Sequence, residues 1–225
     1  MTRMLSRSRR LVAGMLLLAG MMALLPGCSQ FVLLGLLLGG PPTVEPDFDA
    51  ETGLSLKGKD ITVAVVCYAP TELKWNFPKI DAEVSSAVAY RLAEHGINVI
   101  HPDYIRAWVD ENSDWERADE IGRAFEADYV IELELASFGL YEENSTTLFR
   151  GRTEAYVNVF EMDEVGEGER IFTKEIDFAF PTRVPRSTYD QTPISFKREY
   201  LSRLSEKIGF LFYERFSGDM MPWAS

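Results

Sequence analysis

Residues 60–67, Asp-Ile-Thr-Val-Ala-Val-Val-Cys, decide the fold class. Ile61, Val63, Ala64, Val65, Val66 and Cys67 form an apolar run rich in β-branched side chains, with no polar–apolar alternation. A strand with one solvated face alternates; a continuous run fits a strand covered on both faces by helices. Downstream the period lengthens. Ile80, Val84, Val88 and Leu92 recur every four residues, with Ala87 and Ala93 beside them, so 78–95 is expected as a helix. Pro78 suits its first turn and Gly96 its stop. Ile97-Asn98-Val99-Ile100 follows as a short second strand. Asp103 is placed to cap a helix over 104–111, and Ser113 or Asp114 another over 115–126.

The second half has the period of two that marks half-buried strands. Within 129–138, Ile131, Leu133 and Leu135 oppose Glu132 and Glu134. Within 147–162, Ala155, Val157 and Val159 oppose Arg150, Arg152, Glu154 and Asn158. Gly166 and Gly168 mark a hairpin turn, and 170–180 return as a third long strand. A Pro- and Thr-rich loop, 181–193, leads to a last helix expected over 194–216, with Leu201, Leu204, Ile208, Leu211 and Phe212 on its buried side and Gly218 beyond it. The expected fold class is therefore α/β (α+β). It is a single β-α-β-α-β-β-β-α domain, with a mixed sheet, a C-terminal antiparallel meander and covering helices. One face of the meander is charged and meets solvent.

Upstream of this domain lies a targeting pattern. Residues 1–10 carry Arg3, Arg7, Arg9 and Arg10, residues 11–25 are apolar, and Pro26-Gly27-Cys28 follow. A basic segment, an apolar segment and a small residue before a cut describe a secretory signal peptide. Leu25-Pro26-Gly27-Cys28 also resembles the bacterial lipobox, with Pro26 where a small residue is commoner. That resemblance implies a signal peptide over 1–27 and a diacylated Cys28 at the mature N-terminus. It also implies, through Ser29, sorting to the outer membrane. Residues 31–38 are apolar again, so a second reading joins 11–38 into one uncleaved membrane helix. Both readings leave the arginines in the cytoplasm and the domain on the periplasmic side. Residues 28–57 are expected as a lipidated apolar segment and a Gly, Pro and acidic tether. The globular domain is placed at 58–218 and a tail at 219–225.

Composition limits the partners. The 225 residues carry a formal charge of −12; four of the 23 basic residues precede Cys28, so 19 basic face 35 acidic residues beyond it, a charge of −16. Such a domain repels nucleic acid and anionic headgroups and suits a basic or cationic partner. No phosphate loop, dinucleotide fingerprint, zinc-protease helix or nucleophile elbow is written in the sequence. No cofactor, metal ligand set or catalytic residue is assigned, and no enzyme activity is expected. Two cysteines 39 positions apart make no zinc pattern, and Cys67 reads as a core thiol.

Two loops carry the candidate partner-binding residues. The segment 68–77 is expected as a loop after the first strand, where open α/β sheets place ligands. It offers Tyr68, Glu72, Lys74, Trp75 and Phe77. The loop 181–193 adds Arg183 and Arg186, with Tyr189 nearby. The structural alternative is that Trp75 and Phe77 staple the loop over the helix start. Asp110, Glu111, Asp114, Glu116, Asp119 and Glu120 are expected as a solvated helix surface, with a cation or basic-partner face as the alternative. His95 and His101 are expected in capping and turn roles; a carboxylate-assisted hydrolase using His101 and Asp103 is the remote alternative.

The element order, the lipobox-like stretch, Asp60 to Val65, and Ala127-Asp128-Tyr129-Val130-Ile131 together resemble a group of bacterial envelope lipoproteins. The group includes penicillin-binding-protein activators, the curli secretion-channel lipoprotein and the N-terminal domain of the Tol translocation protein. Val66 to Trp75 and Val184-Pro185-Arg186-Ser187-Thr188 further resemble a family of uncharacterised bacterial envelope lipoproteins. The resemblance implies a membrane-anchored binding, scaffold or regulatory module with an envelope protein partner. An alternative is a subunit of an oligomeric envelope or secretion structure, motivated by pairing of the long strands 129–138 and 147–162 between chains.

Overall fold

The computed structural model describes residues 43–216. The expected signal peptide, Cys28, the apolar run 31–38 and the 219–225 tail lie outside the described residues. Among those described, no helix is long and apolar enough to cross a membrane.

The elements run α1 (Asp47–Thr52), β1 (Val63–Tyr68), α2 (Thr71–Asn76), α3 (Ile80–Glu94), α4 (Pro102–Glu111), α5 (Ala118–Phe125), β2 (Tyr129–Tyr141), β3 (Leu148–Met162), β4 (Gly168–Phe180), β5 (Arg186–Ser187) and α6 (Pro193–Gly209). The sheet order is β1-β2-β3-β4, with β5 beside the start of β3. β1 and β2 are parallel, Val63 opposite Tyr129 through Tyr68 opposite Glu134. The β2–β3 and β3–β4 pairs are antiparallel. This is the expected mixed sheet with a C-terminal meander. The Ala127-Asp128-Tyr129 stretch sets the parallel register: Asp128 Oδ2 accepts from the Thr62 amide at 2.6 Å, and the Asp128 amide donates to the Thr62 carbonyl at 2.9 Å.

One face of the sheet carries the main core. Val63, Val65, Cys67, Ile131, Leu133, Leu135, Ala155, Val157, Val159, Phe172 and Ile176 are buried there with α3 and α6. Aromatic rings fill its far end: Phe149 stacks on Phe196 at 4.8 Å, and the buried Tyr200 hydroxyl donates to Thr153 Oγ1 at 2.7 Å. Gly151 makes room for that ring, since a Cβ there would lie 2.2 Å from Tyr200 Cδ2. The other face has a smaller core of Ala64, Val66, Ile105, Ala118, Ile121, Ala127 and Val130 with α4 and α5. Those helices cover only the amino end of β2.

Several expectations are corrected. Residues 97–100 do not form a strand; they make a single bridge of Val99 to Val63. Pro102 opens α4 immediately afterwards, and the chain turns before a ladder can extend. The parallel partner of β1 is β2, reached after four helices, α2 to α5. The strands 129–138 and 147–162, expected to expose edges, are both interior; the open flank is β4. The segment 68–77 is not all loop, because Pro70 starts α2 and the restriction on the residue before Pro78 ends it at Asn76. Helix α3 begins at Ile80, after Pro78-Lys79 form a turn. His101, not Asp103, caps α4, its Nδ1 accepting from the Asp103 amide at 3.3 Å. Arg117, not Ser113 or Asp114, precedes α5, and Glu120 accepts from its amide at 3.0 Å. Helix α6 ends at Gly209, where the Tyr213 ring lies 2.6 Å from the position of a Cβ, and the turn beyond buries Leu211, Phe212 and Tyr213. The described part of the expected tether also folds onto the domain. Phe48 and Leu56 are fully buried, and the Phe48 amide donates to the Leu211 carbonyl at 3.0 Å.

Candidate functional site

The carboxyl end of β1 opens between α2, α3 and the α4–α5 turn. The parallel β1–β2 pair ends here: Cys67 is still buried on the main-core face, and Tyr68 is the first exposed residue. Two cavities meet at this end, both lined by Tyr68 and Trp115. The larger, about 810 Å³, runs along the outer side of β1 between the start of α3 and the end of α4, past Lys74, Asp81, Arg106 and Asp110. The smaller, about 520 Å³, lies over the sheet. Its walls are Tyr68, Trp115, Arg117, Asp119 and Phe160, and Glu132 and Glu134 line its floor.

The floor follows from the register. Across the sheet, Val66, Glu132, Asn158 and Thr173 lie in one row, and Tyr68, Glu134, Tyr156 and Glu175 in the next. Asn158 Nδ2 donates to Glu134 Oε1 at 2.5 Å and to Glu132 Oε2 at 3.3 Å, while the Thr173 hydroxyl donates to Asn158 Oδ1 at 3.0 Å. Glu132 is 9% exposed. Desolvation pushes its carboxyl up to about 7; the Asn158 hydrogen bond opposes this, Glu134 adds to it, and Arg170 opposes it. Arg117, which lines the same cavity, is held by the buried Asp119 at 2.8 Å.

The expected site residues separate in this frame. Tyr68 is 52% exposed at the mouth of both cavities, and Trp75 is 75% exposed on α2. Glu72 is exposed, and Lys74 pairs with Asp81 at 2.5 Å. Phe77 turns inward onto Phe138 of β2, ring centroids 4.9 Å apart, while Trp75 stays exposed, so the two do not together staple the segment over the helix start. Arg186 pairs with Glu199 at 2.6 Å and lies over the Phe180 ring, so it ties β5 to α6. Arg183 is exposed and its carbonyl accepts from Arg150 at 3.0 Å. Neither arginine lines the two cavities.

His101 is engaged as the α4 cap and lies edge-on to Tyr90 and Tyr104. His95 stacks on Tyr213 at 3.5 Å, and its Nδ1 lies 2.8 Å from the Arg91 carbonyl. Of the acidic group on α4 and α5, Asp119 is buried between Arg117 and Arg123 and departs from the expected solvated surface. Cys67 is buried, and desolvation holds its thiol well above its ordinary value, as expected for an unreactive core cysteine. Among the described residues, no group of three or more His, Cys, Asp or Glu side chains converges to hold a metal ion.

Glu132, Glu134, Asn158 and Trp115 were not legible as site residues. In an alternating strand, Glu132 and Glu134 read as ordinary solvent-facing positions. The available signal is that Glu132 shares a face with Val130, which the short apolar helices must cover.

No protein-family profile and no curated protein sequence matches the chain. Solved structures of similar outline include the PelC dodecamer from Paraburkholderia phytofirmans, at 12% identity and TM-score 0.42 over 76% of this chain and 95% of that one. Another is lipoprotein GNA1162 from Neisseria meningitidis, at 12% identity and TM-score 0.37 over 66% and 97%. A third is the hypothetical protein CT253 from Chlamydia trachomatis, at 17% identity and TM-score 0.40 over 68% and 96%. At these scores nothing about activity or assembly transfers from them.

Proposed function

We propose that this chain is a cell-envelope lipoprotein, held on the periplasmic side of a membrane through Cys28, whose domain binds a partner without catalysis. The observation that carries the binding role is the crevice at the end of β1. Two cavities converge on the half-exposed Tyr68, both lined by Trp115 and with the unfilled sheet face beneath; Trp75 lines neither and is exposed on the adjoining α2. Exposed aromatic side chains around a preformed hollow are the usual anchors of a protein interface. The anchoring role rests on Arg3 to Arg10, the apolar stretch and Leu25 to Cys28, and Ser29 favours the outer membrane. The fold of α1 shortens the expected tether. Fifteen peptide units separate Cys28 from Thr43, where the described residues begin.

Metabolic labelling with a palmitate analogue tests the anchor: label is expected on the wild type and absent from Cys28→Ala, and label retained by the variant refutes it. Affinity recovery from native membranes tests the crevice. A partner recovered with the wild type is expected to be depleted with Tyr68→Ala and Trp75→Ala; equal recovery with both removes the crevice from the account.

A further inference from the structure

We infer that the smaller cavity binds an organic cation, an alkylammonium or guanidinium group, seated on Glu132 and Glu134 between the Tyr68 and Trp115 rings. The inference rests on the crevice being the binding surface and names the chemistry it takes. The first observation is a nine-tenths-buried carboxylate without a countercharge. Among the described residues, neither Glu132 nor Glu134 has a cation within ion-pair distance; Arg117 is engaged by Asp119, and Arg170 acts on Glu132 only through space. Two carboxylates on adjacent same-face positions, joined through one amide, repel each other and are poorly solvated. An entering cation relieves both penalties.

The second observation is the wall. Tyr68, 52% exposed, is the register neighbour of Glu134 on β1, and Trp115 and Phe160 are the other aromatic side chains of the lining, beside Glu116 and the Arg117–Asp119 pair. Aromatic faces beside a carboxylate suit an alkylammonium or guanidinium, whose stem is apolar and whose charge is diffuse. A hard divalent ion needs six or more oxygen ligands, and this floor offers two carboxylates and one amide. The volume, about 520 Å³, suits a side chain or a small amine.

Occupancy is linked to protons. The groups facing Glu132 are Glu134 on its own strand, Tyr68 on β1, Asn158 on β3, Arg170 on β4, and Glu116, Arg117 and Asp119 at the start of α5. With its carboxyl at about 7, the ionised share rises from about a tenth at pH 6 to about nine tenths at pH 8. Cation affinity therefore rises about tenfold over that interval.

The test is titration calorimetry of the full chain in nonionic detergent. The probes are putrescine, butylguanidine, the tripeptides Gly-Lys-Gly and Gly-Arg-Gly, and calcium chloride alone. At least one organic cation is expected to bind about tenfold tighter at pH 8 than at pH 6. Binding is expected to weaken tenfold or more in Glu132→Gln and Glu134→Gln, with circular dichroism confirming that both fold. Binding of the free amines identifies a small-molecule source, and binding of the tripeptides alone identifies a basic protein segment; either supports the site. No binding by any organic cation, binding unchanged in both variants, or binding of calcium alone overturns it. If the cations fail while partner recovery still depends on Tyr68 and Trp75, only the cation chemistry falls and the binding role stands.

Discussion

Replacing Glu132 with Gln is expected to stabilise the protein, and to do so increasingly as pH rises. The carboxyl is buried and pushed up to about 7, against about 4.5 in the unfolded chain. Between those values the folded state holds a proton that the unfolded state has released. Folding stability therefore falls as pH rises through that window and stays reduced above it. The full difference corresponds to about 3 kcal/mol at pH 8 and about 0.4 kcal/mol at pH 4.5, from 1.36 kcal/mol per pKa unit. Gln removes the ionisation while its carbonyl still accepts from Asn158, whose bond to Glu132 is 3.3 Å long. A stabilisation of that order raises the melting temperature by about 5–10 °C for a domain of this size. Thermal denaturation of both proteins at pH 4.5 and pH 8 measures it. Curves that differ equally at the two pH values, or a variant that is less stable at pH 8, would refute the description of Glu132 as a desolvated carboxyl without a countercharge.

Three further substitutions test the fold around the site. Phe48→Ala is expected to cost about 3–5 kcal/mol in urea denaturation, because Phe48 is fully buried against Phe172 and Phe212; a loss under about 1 kcal/mol would return 47–52 to the tether. Gly151→Ala is expected to cost about 2 kcal/mol or more, since Tyr200 must leave a ring position it holds with two hydroxyl bonds; the same denaturation measures it, and a neutral result contradicts the packing. Lys174 sits opposite Val157 in the apolar row of the edge strand β4, with its amine on Asp47 and Glu51. A charge in that row guards an open edge, so Lys174→Val is expected to produce concentration-dependent self-association of residues 43–225 in light scattering; no change would show that the edge is protected by other means.

The class of fold was legible because its signals are local. The unbroken run Val63 to Cys67, the four-residue spacing from Ile80 to Leu92 and the alternation through β2, β3 and β4 each reflect which faces are buried. What failed was non-local. Nothing near 97–100 tells that the sheet will take β2 as the partner of β1, because that choice depends on the Thr62–Asp128 contact across 66 positions. Capping was misassigned where side chains outside the usual set, His101 and Arg117, stand at helix starts. The site was half legible. Tyr68 and Trp75 follow from their place after a buried strand. Glu132 and Glu134 do not, because a polar row in an alternating strand looks the same whether water or a helix lies over it.

The most direct test of the crevice is backbone amide chemical-shift mapping of the labelled full chain in nonionic detergent at pH 8, titrated with Gly-Arg-Gly or putrescine. The largest changes are expected at Tyr68, Trp115, Glu132 and Glu134, with little change at Arg183 and Arg186, and Glu132→Gln is expected to need about tenfold or more ligand for the same changes. Changes centred on the 181–193 loop, or spread evenly over the acidic surface, would contradict the assignment of binding to the end of β1.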